Sequence, residues 1–212
     1  MNTPVWLFDL DNTLHNASPH IFPHINRAMT AYVMKHLGLA EAEADTLRMA
    51  YWRRYGATLT GLMRHHGVDP NHFLWETHQL PELHRQLVFD GALKGMLRRL
   101  PGRKIVFSNA PTHYAEAVLK AMGVRQDFDR VWCQEQLHFV PKPFPQTFRR
   151  LLHRERLRAT QCVMVEDSID NLRTARRLGM KTVLVSRMGA APTWVDVAVK
   201  SVLELPRQLA RL

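Results

Sequence analysis

The residues of this 212-residue chain best suited to chemistry fall in three short stretches and at one lysine. Asp9 and Asp11 follow the apolar run Val5-Trp6-Leu7-Phe8, with one residue between them. Such a run reads as a buried strand of a parallel sheet. Two carboxylates just beyond it can hold a divalent cation and attack an electrophile. Taken alone they can equally cap a helix or end a strand. Ser108 and Asn109 close the strand-like run 104–107, and Glu166 and Asp167 close the run 162–165. Lys142 lies in Val140-Pro141-Lys142-Pro143, kept irregular by its prolines. Three carboxylates that meet at one point repel one another unless a cation lies among them, and hard oxygen ligands favour magnesium. The hydroxyl and amides at 108–109 can hold phosphate oxygens, while Lys142 offsets charge on a transferring group. The set suits phosphoryl transfer. Singly, each member has a plainer explanation: a turn, a surface lysine, or acids favoured by the next helix's dipole. Their joint arrival at strand ends argues for a site.

These side chains meet only if their strands share one sheet edge, where open α/β sheets bind ligands. The pattern supports that. Strands are expected at 5–8, 104–107, 130–134, 162–165 and 181–185, with helices between them at 93–100, 112–122, 144–156 and 169–178. Lys142 then sits in the loop before a helix. A terminal helix is expected over 203–212, starting near Pro206. Between the first two strands the character changes: 24–38, 41–56, 58–67 and 71–80 read as helices, three of them closed by Gly38, Gly56 and Gly67. The expected fold is α/β, a doubly wound, mostly parallel, Rossmann-like sheet with an inserted all-helical cap. The boundaries are 1–15 and 87–212 for the core and 16–86 for the cap.

Composition limits the alternatives. Apolar residues are 46% and charged residues 23%, as in ordinary globular proteins. No apolar run is long enough for a bilayer, and Asp9 and Asp11 stand where a signal peptide's apolar region would be, so a cytoplasmic protein without membrane contact is expected. Cys133 and Cys162 lie in apolar runs and read as buried thiols. The net charge of +10 favours anionic partners. Its arginines are scattered over expected helix faces without a basic tail or recognition motif, so a phosphorylated small molecule is expected rather than nucleic acid.

The chain resembles the haloacid dehalogenase-like hydrolase superfamily over nearly its whole length. Phe8-Asp9-Leu10-Asp11-Asn12-Thr13-Leu14 is similar to that family's first motif, Phe107-Ser108-Asn109-Ala110 to its second, Lys142-Pro143 to its third and Val165-Glu166-Asp167-Ser168 to its fourth. A helical insertion directly after the first motif resembles the helical-cap branch. The resemblance implies that Asp9 attacks phosphorus to form a phosphoaspartate, and that Asp11 protonates the leaving alkoxide and later takes a proton from water. It implies phosphate binding by Asp11, Ser108, Asn109 and Lys142. It also implies magnesium (Mg2+) at Asp9, the Asp11 carbonyl and Asp167, with Glu166 touching the ion or standing behind its ligands. Asp170 is either a further outer partner or a first-turn helix acid. Members that cleave carbon–halogen bonds lack an acid at the position of Asp11, so the aspartate implies phosphate esters. The stretch 51–62 resembles pyrimidine 5′-nucleotidases of the family, although His15 stands where tyrosine is common. There Tyr55 can stack on a base while Arg54 and Thr58 bond ring or sugar oxygens; otherwise Tyr51 and Tyr55 pack at helical spacing. The expectation is a magnesium-dependent phosphomonoesterase acting on a nucleoside monophosphate, UMP or CMP. The alternatives are a sugar-phosphate phosphatase or phosphomutase and, more distantly, a phosphorelay receiver or a basic nucleic-acid-binding module.

Overall fold

The computed structural model describes residues 3–186 and 191–212; residues 1–2 and 187–190 of the expected core lie outside that description. Strand β1 (Val5–Phe8) is followed by five helices, α1 (Ile21–Leu37), α2 (Glu41–Tyr55), α3 (Thr58–His66), α4 (Pro70–Thr77) and α5 (Leu83–Gln86). Strands and helices then alternate: α6 (Leu93–Arg99), β2 (Lys104–Phe107), α7 (Thr112–Ala121), β3 (Arg130–Trp132), α8 (Pro145–Arg154), β4 (Cys162–Glu166), α9 (Ile169–Arg177), β5 (Lys181–Val185) and β6 (Val197–Val199). The six strands form one sheet in the order β3-β2-β1-β4-β5-β6. Every pairing in it is parallel.

Period-two alternation explains why β1 is apolar throughout. Trp6 and Phe8 enter a core shared with α6 and α7, and Val5 and Leu7 enter a second core shared with α8 and α9. A strand covered on both faces needs no polar side. The chain winds from β1 to β2 and β3 on one side, then crosses back to β4 on the other, so the order reverses at β1. Phe8 pairs with Val106 on one flank and Val165 on the other, so the three strands end level. Ligands of such sheets bind at this reversal.

The helices inserted after β1 have a core of their own. Tyr32, Val33, Ala44, Leu59, Leu62, Phe73 and Leu74, drawn from α1 to α4, pack together. Gly61 lets α3 lie against α2, because a Cβ there would come within 2.2 Å of the Tyr51 ring. Cys133 and Cys162 are free and buried, and burial pushes both thiols up, Cys162 to about 11. Among the described residues no helix is long and apolar enough to cross a membrane.

The C-terminal region departs from expectation. The helix expected over 203–212 is instead a pair of tight 3-10 segments, Val202–Arg207 and Leu209–Arg211. Pro206 lies inside the first of them and has no backbone N–H to give an α-helix. Ahead of them β6 adds an edge strand that the sequence reading did not assign.

Candidate active site

Three strand ends deliver the acidic and hydroxyl groups to one place. The Asp9 N–H donates to the Val165 carbonyl at 2.9 Å, extending the ladder one residue past β1. Asn12 then turns the chain with a φ of 61°, and its Oδ1 accepts from the N–H groups of Ala17 and Ser18. The Ser108 N–H donates to the Trp132 carbonyl at 2.9 Å, and the Ser108 hydroxyl oxygen accepts from the Ala110 N–H at 3.0 Å. Asn109 has a more specific role than expected. Its Oδ1 accepts from the Lys142 N–H at 2.8 Å and its Nδ2 donates to the Lys142 carbonyl at 3.0 Å. The side chain grips the backbone of the lysine loop, which leaves it one amide N–H for any ligand.

Lys142 is buried, and its Nζ donates to Asp9 Oδ1 and to Glu166 Oε2, each at 2.7 Å. Of its three N–H bonds, one remains. Burial alone would push this lysine down; the two carboxylates outweigh it and hold the ammonium charged. Glu166 is satisfied on both oxygens. Oε1 accepts from the N–H groups of Asp167 and Ser168, and Oε2 accepts from Lys142 and from Asn171 Nδ2 at 2.8 Å. Burial opposes its ionisation, but Lys142 and these hydrogen bonds bring its pKa below the usual value. The opposite holds for its neighbours. Burial, followed by the charge of Glu166, raises Asp9 to about 7. Burial and contact with Glu166 raise Asp167 to about 8. Carboxylate oxygens of Asp9, Glu166 and Asp167 lie within 4.8 Å of one another.

Asp11 is held from the other side. The Tyr114 hydroxyl donates to its Oδ1, and His15 Nε2 lies 3.0 Å from the same oxygen but outside hydrogen-bond alignment. Asp9, Asp11, Ser108, Asn109, Lys142, Glu166 and Asp167 all line a cavity of ≈ 530 Å³ roofed by the inserted helices.

The roof is not built from the residues expected there. Arg54 is exposed, Tyr55 is buried with its hydroxyl on His65 Nε2 at 2.7 Å, and Thr58 donates to the Arg48 carbonyl at 3.0 Å. None of the three lines the cavity. Helix α2 is rotated so that Tyr51 and Tyr55 meet His65 and His66 around α3, the packing alternative. The same rotation turns Arg48, Met49 and Trp52 to the cavity, beside Asn26 and Met29 of α1. Arg48 is buried and held by Asp45, Thr30 and Asn26. Asp170 also falls outside the cluster: it is exposed and pairs with Arg173 at 2.7 Å. Asn171, one position on and about 100° around the helix, turns inward to Glu166. Arginines 53, 54, 98, 99, 149, 154, 176 and 177 are exposed on helix faces.

His78, just past α4, also lines the cavity, with Nδ1 3.1 Å from the Leu74 carbonyl. Burial pushes its pKa from 6.5 down to about 4, so the folded protein keeps it neutral. Unfolded chains take up a proton below the ordinary value. The stability this neutral ring contributes is therefore present above pH 6.5 and lost as pH falls towards 4. The loss amounts to about 3 kcal/mol across the window. In urea unfolding near pH 7 and pH 4.5, His78→Gln should lose correspondingly less stability on acidification than the parent protein.

A family model described as haloacid dehalogenase-like hydrolase matches residues 5–179, from the start of β1 to just beyond α9. The chain belongs to this family. Phosphate metabolism protein 8 of Saccharomyces cerevisiae is 26% identical over 197 residues, 85% of this chain. The chain spans only 60% of that protein's length. Fructose-1-phosphate phosphatase YqaB of Escherichia coli is 27% identical over 84% of this chain and 93% of its own. Among solved structures, a HAD phosphatase from Thermococcus onnurineus superposes with a TM-score of 0.70 at 20% identity, covering 98% of both chains. L-2-haloacid dehalogenase from Xanthobacter autotrophicus gives 0.62 at 16% identity over 99% of both. The haloacid dehalogenase-like fold therefore houses a phosphatase and a dehalogenase alike, and the choice of chemistry rests on the site.

Proposed function

We propose that this hydrolase is a magnesium-dependent phosphomonoesterase in which Asp9 takes the phosphoryl group from an ester and passes it to water. The observation that carries the reading is the shared cavity of Asp9 and Asp11, with Lys142 Nζ 2.7 Å from Asp9. A nucleophile and a second carboxylate serve an ester whose leaving oxygen needs a proton; a departing halide needs none. Lys142 keeps Asp9 oriented and offers its remaining N–H to a phosphoryl oxygen. The Ser108 hydroxyl and the Asn109 N–H would donate to the same group.

The acids fit magnesium. Asp9 and Asp167 are hard oxygen donors whose charged forms are disfavoured by burial and by the nearby Glu166, a cost that a cation offsets. Asp9, Asp167 and the Asp11 carbonyl would hold the ion, and Glu166, with both oxygens already engaged, would orient them. Bound there, magnesium supplies positive charge against the transferring phosphoryl oxygens.

For substrate we propose pyrimidine nucleoside 5′-monophosphates, with segment 16–86 as the cap that covers them on the core formed by 1–15 and 87–212. Trp52 is 54% exposed although it lines the cavity, so it presents a free ring face to a base. Arg48 and Asn26 add N–H donors for ring carbonyls. Truncating a base-stacking aromatic costs about 1–3 kcal/mol per base. Trp52→Ala should therefore raise KM for UMP on the order of tenfold and leave ribose 5-phosphate nearly unchanged. The relation to a fructose-1-phosphate phosphatase favours a second reading, a sugar-phosphate phosphatase. Phosphate release from UMP, CMP, ribose 5-phosphate and fructose 1-phosphate, with and without EDTA, separates them. Preference for UMP and CMP, lost in EDTA, supports the proposal; equal rates on all four remove the pyrimidine assignment, and EDTA-resistant turnover removes the metal.

A further inference from the structure

We propose that Tyr114 is a positioning residue for Asp11, fixing one carboxylate oxygen so that the other delivers the proton to the departing ester oxygen. The inference rests on the phosphomonoesterase reading and adds to it the group that aims the acid. Tyr114 lies in the first turn of α7 and is 2% exposed. Its hydroxyl has one hydrogen bond among the described residues, the one it donates to Asp11 Oδ1. The start of α7 is itself tied down, since the Thr112 N–H and hydroxyl both donate to the Glu135 carboxylate. From the cap, the His78 ring packs edge-on against the Tyr114 ring, centroids 5.9 Å apart. A buried phenol on an anchored helix start, packed against His78, is a rigid arm, and its one hydrogen bond among the described residues is to the carboxylate that lines the cavity.

The arrangement selects an oxygen. Oδ1 accepts from Tyr114 and has His15 Nε2 3.0 Å away, whereas Oδ2 makes no hydrogen bond among the described residues while Asp11 lines the cavity. The transferable proton is therefore carried on Oδ2. As the Asp9 carboxylate forms its bond to phosphorus, the P–O bond to the leaving group breaks and its electron pair stays on the ester oxygen. That oxygen takes the Oδ2 proton and departs as an alcohol. Asp11 is left ionised, with the Tyr114 hydroxyl still donating to Oδ1, and recovers a proton from the water that attacks the phosphoaspartate.

An arm that aims an acid matters only when the leaving group needs a proton. In the full-length protein with magnesium, kcat/KM reports the chemistry up to loss of the leaving group, so UMP is compared with p-nitrophenyl phosphate, whose phenolate leaves unprotonated. Tyr114→Phe should lower kcat/KM on UMP on the order of thirtyfold, part of the 10²–10⁴ that a general acid supplies. The effect on p-nitrophenyl phosphate should be at least about tenfold smaller. A second measurement adds Tyr114→Phe to Asp11→Asn, where UMP turnover should fall by less than about twofold further because the two act as one unit. Equal loss on both esters, or additive loss in the double variant, overturns the assignment of Tyr114 alone. A parent protein inactive on both esters overturns the reading beneath it.

Discussion

Asp9→Asn should abolish turnover while leaving the protein folded. The amide is nearly isosteric with the carboxylate and can still accept from Lys142, so the sheet edge keeps its shape. It lacks the nucleophilic oxygen, and removing a covalent nucleophile typically costs on the order of 10⁴-fold or more in kcat. The carboxylate is also one of three whose oxygens lie within 4.8 Å of one another, and its loss relieves their repulsion. Thermal unfolding of Asp9→Asn without divalent cation should therefore match or exceed that of the parent. Retained phosphate release by a folded Asp9→Asn protein would move the nucleophile elsewhere.

Lys142→Met should damage stability and activity together. Nζ is buried and lies 2.7 Å from both Asp9 and Glu166, so its removal leaves two buried acids facing one another. Breaking a buried ion pair by deleting one partner costs about 3–5 kcal/mol. Part of that loss should be recovered on adding magnesium, which restores positive charge among the acids. Loss of a donor aimed at the transferring group costs a further 10²–10³ in kcat as an order of magnitude, roughly 3–4 kcal/mol in the barrier. Urea unfolding with and without magnesium, alongside kcat, checks both. A lysine that merely decorated the surface would change neither.

The core of this fold is legible in the sequence because the strands that carry the site are largely apolar runs with a polar stop. β1, β2 and β4 end where Asp9, Ser108 and Glu166 appear, and parallel register brings those stops level without help from the rest of the chain. The insertion was legible as helices, but not as a surface. Helix α2 carries Tyr51 and Tyr55 on one stripe and Arg48 and Trp52 on the next, both four residues apart. Spacing identifies a stripe without saying which one faces the cavity, and the polar Arg48 stripe is the one turned inward. Asp170 and Asn171 raise the same difficulty on α9, where 100° of helix rotation separates solvent from Glu166. Tyr114 had a fainter signal still, a lone aromatic in the first turn after Ser108-Asn109, and its partner lies 103 residues away. The missed edge strand did carry a pattern, valines at 195, 197 and 199, but three residues of strand are little to read.

The central claim is that a phosphoryl group passes through the side chain of Asp9. The direct test is rapid acid quenching of the magnesium-loaded protein during turnover of UMP or p-nitrophenyl phosphate, followed by mass spectrometry of its peptides. The account predicts a hydroxylamine-labile phosphoryl group on the peptide bearing Asp9, absent from Asp9→Asn. Active turnover with that peptide never phosphorylated, or with the label on another residue, would contradict it.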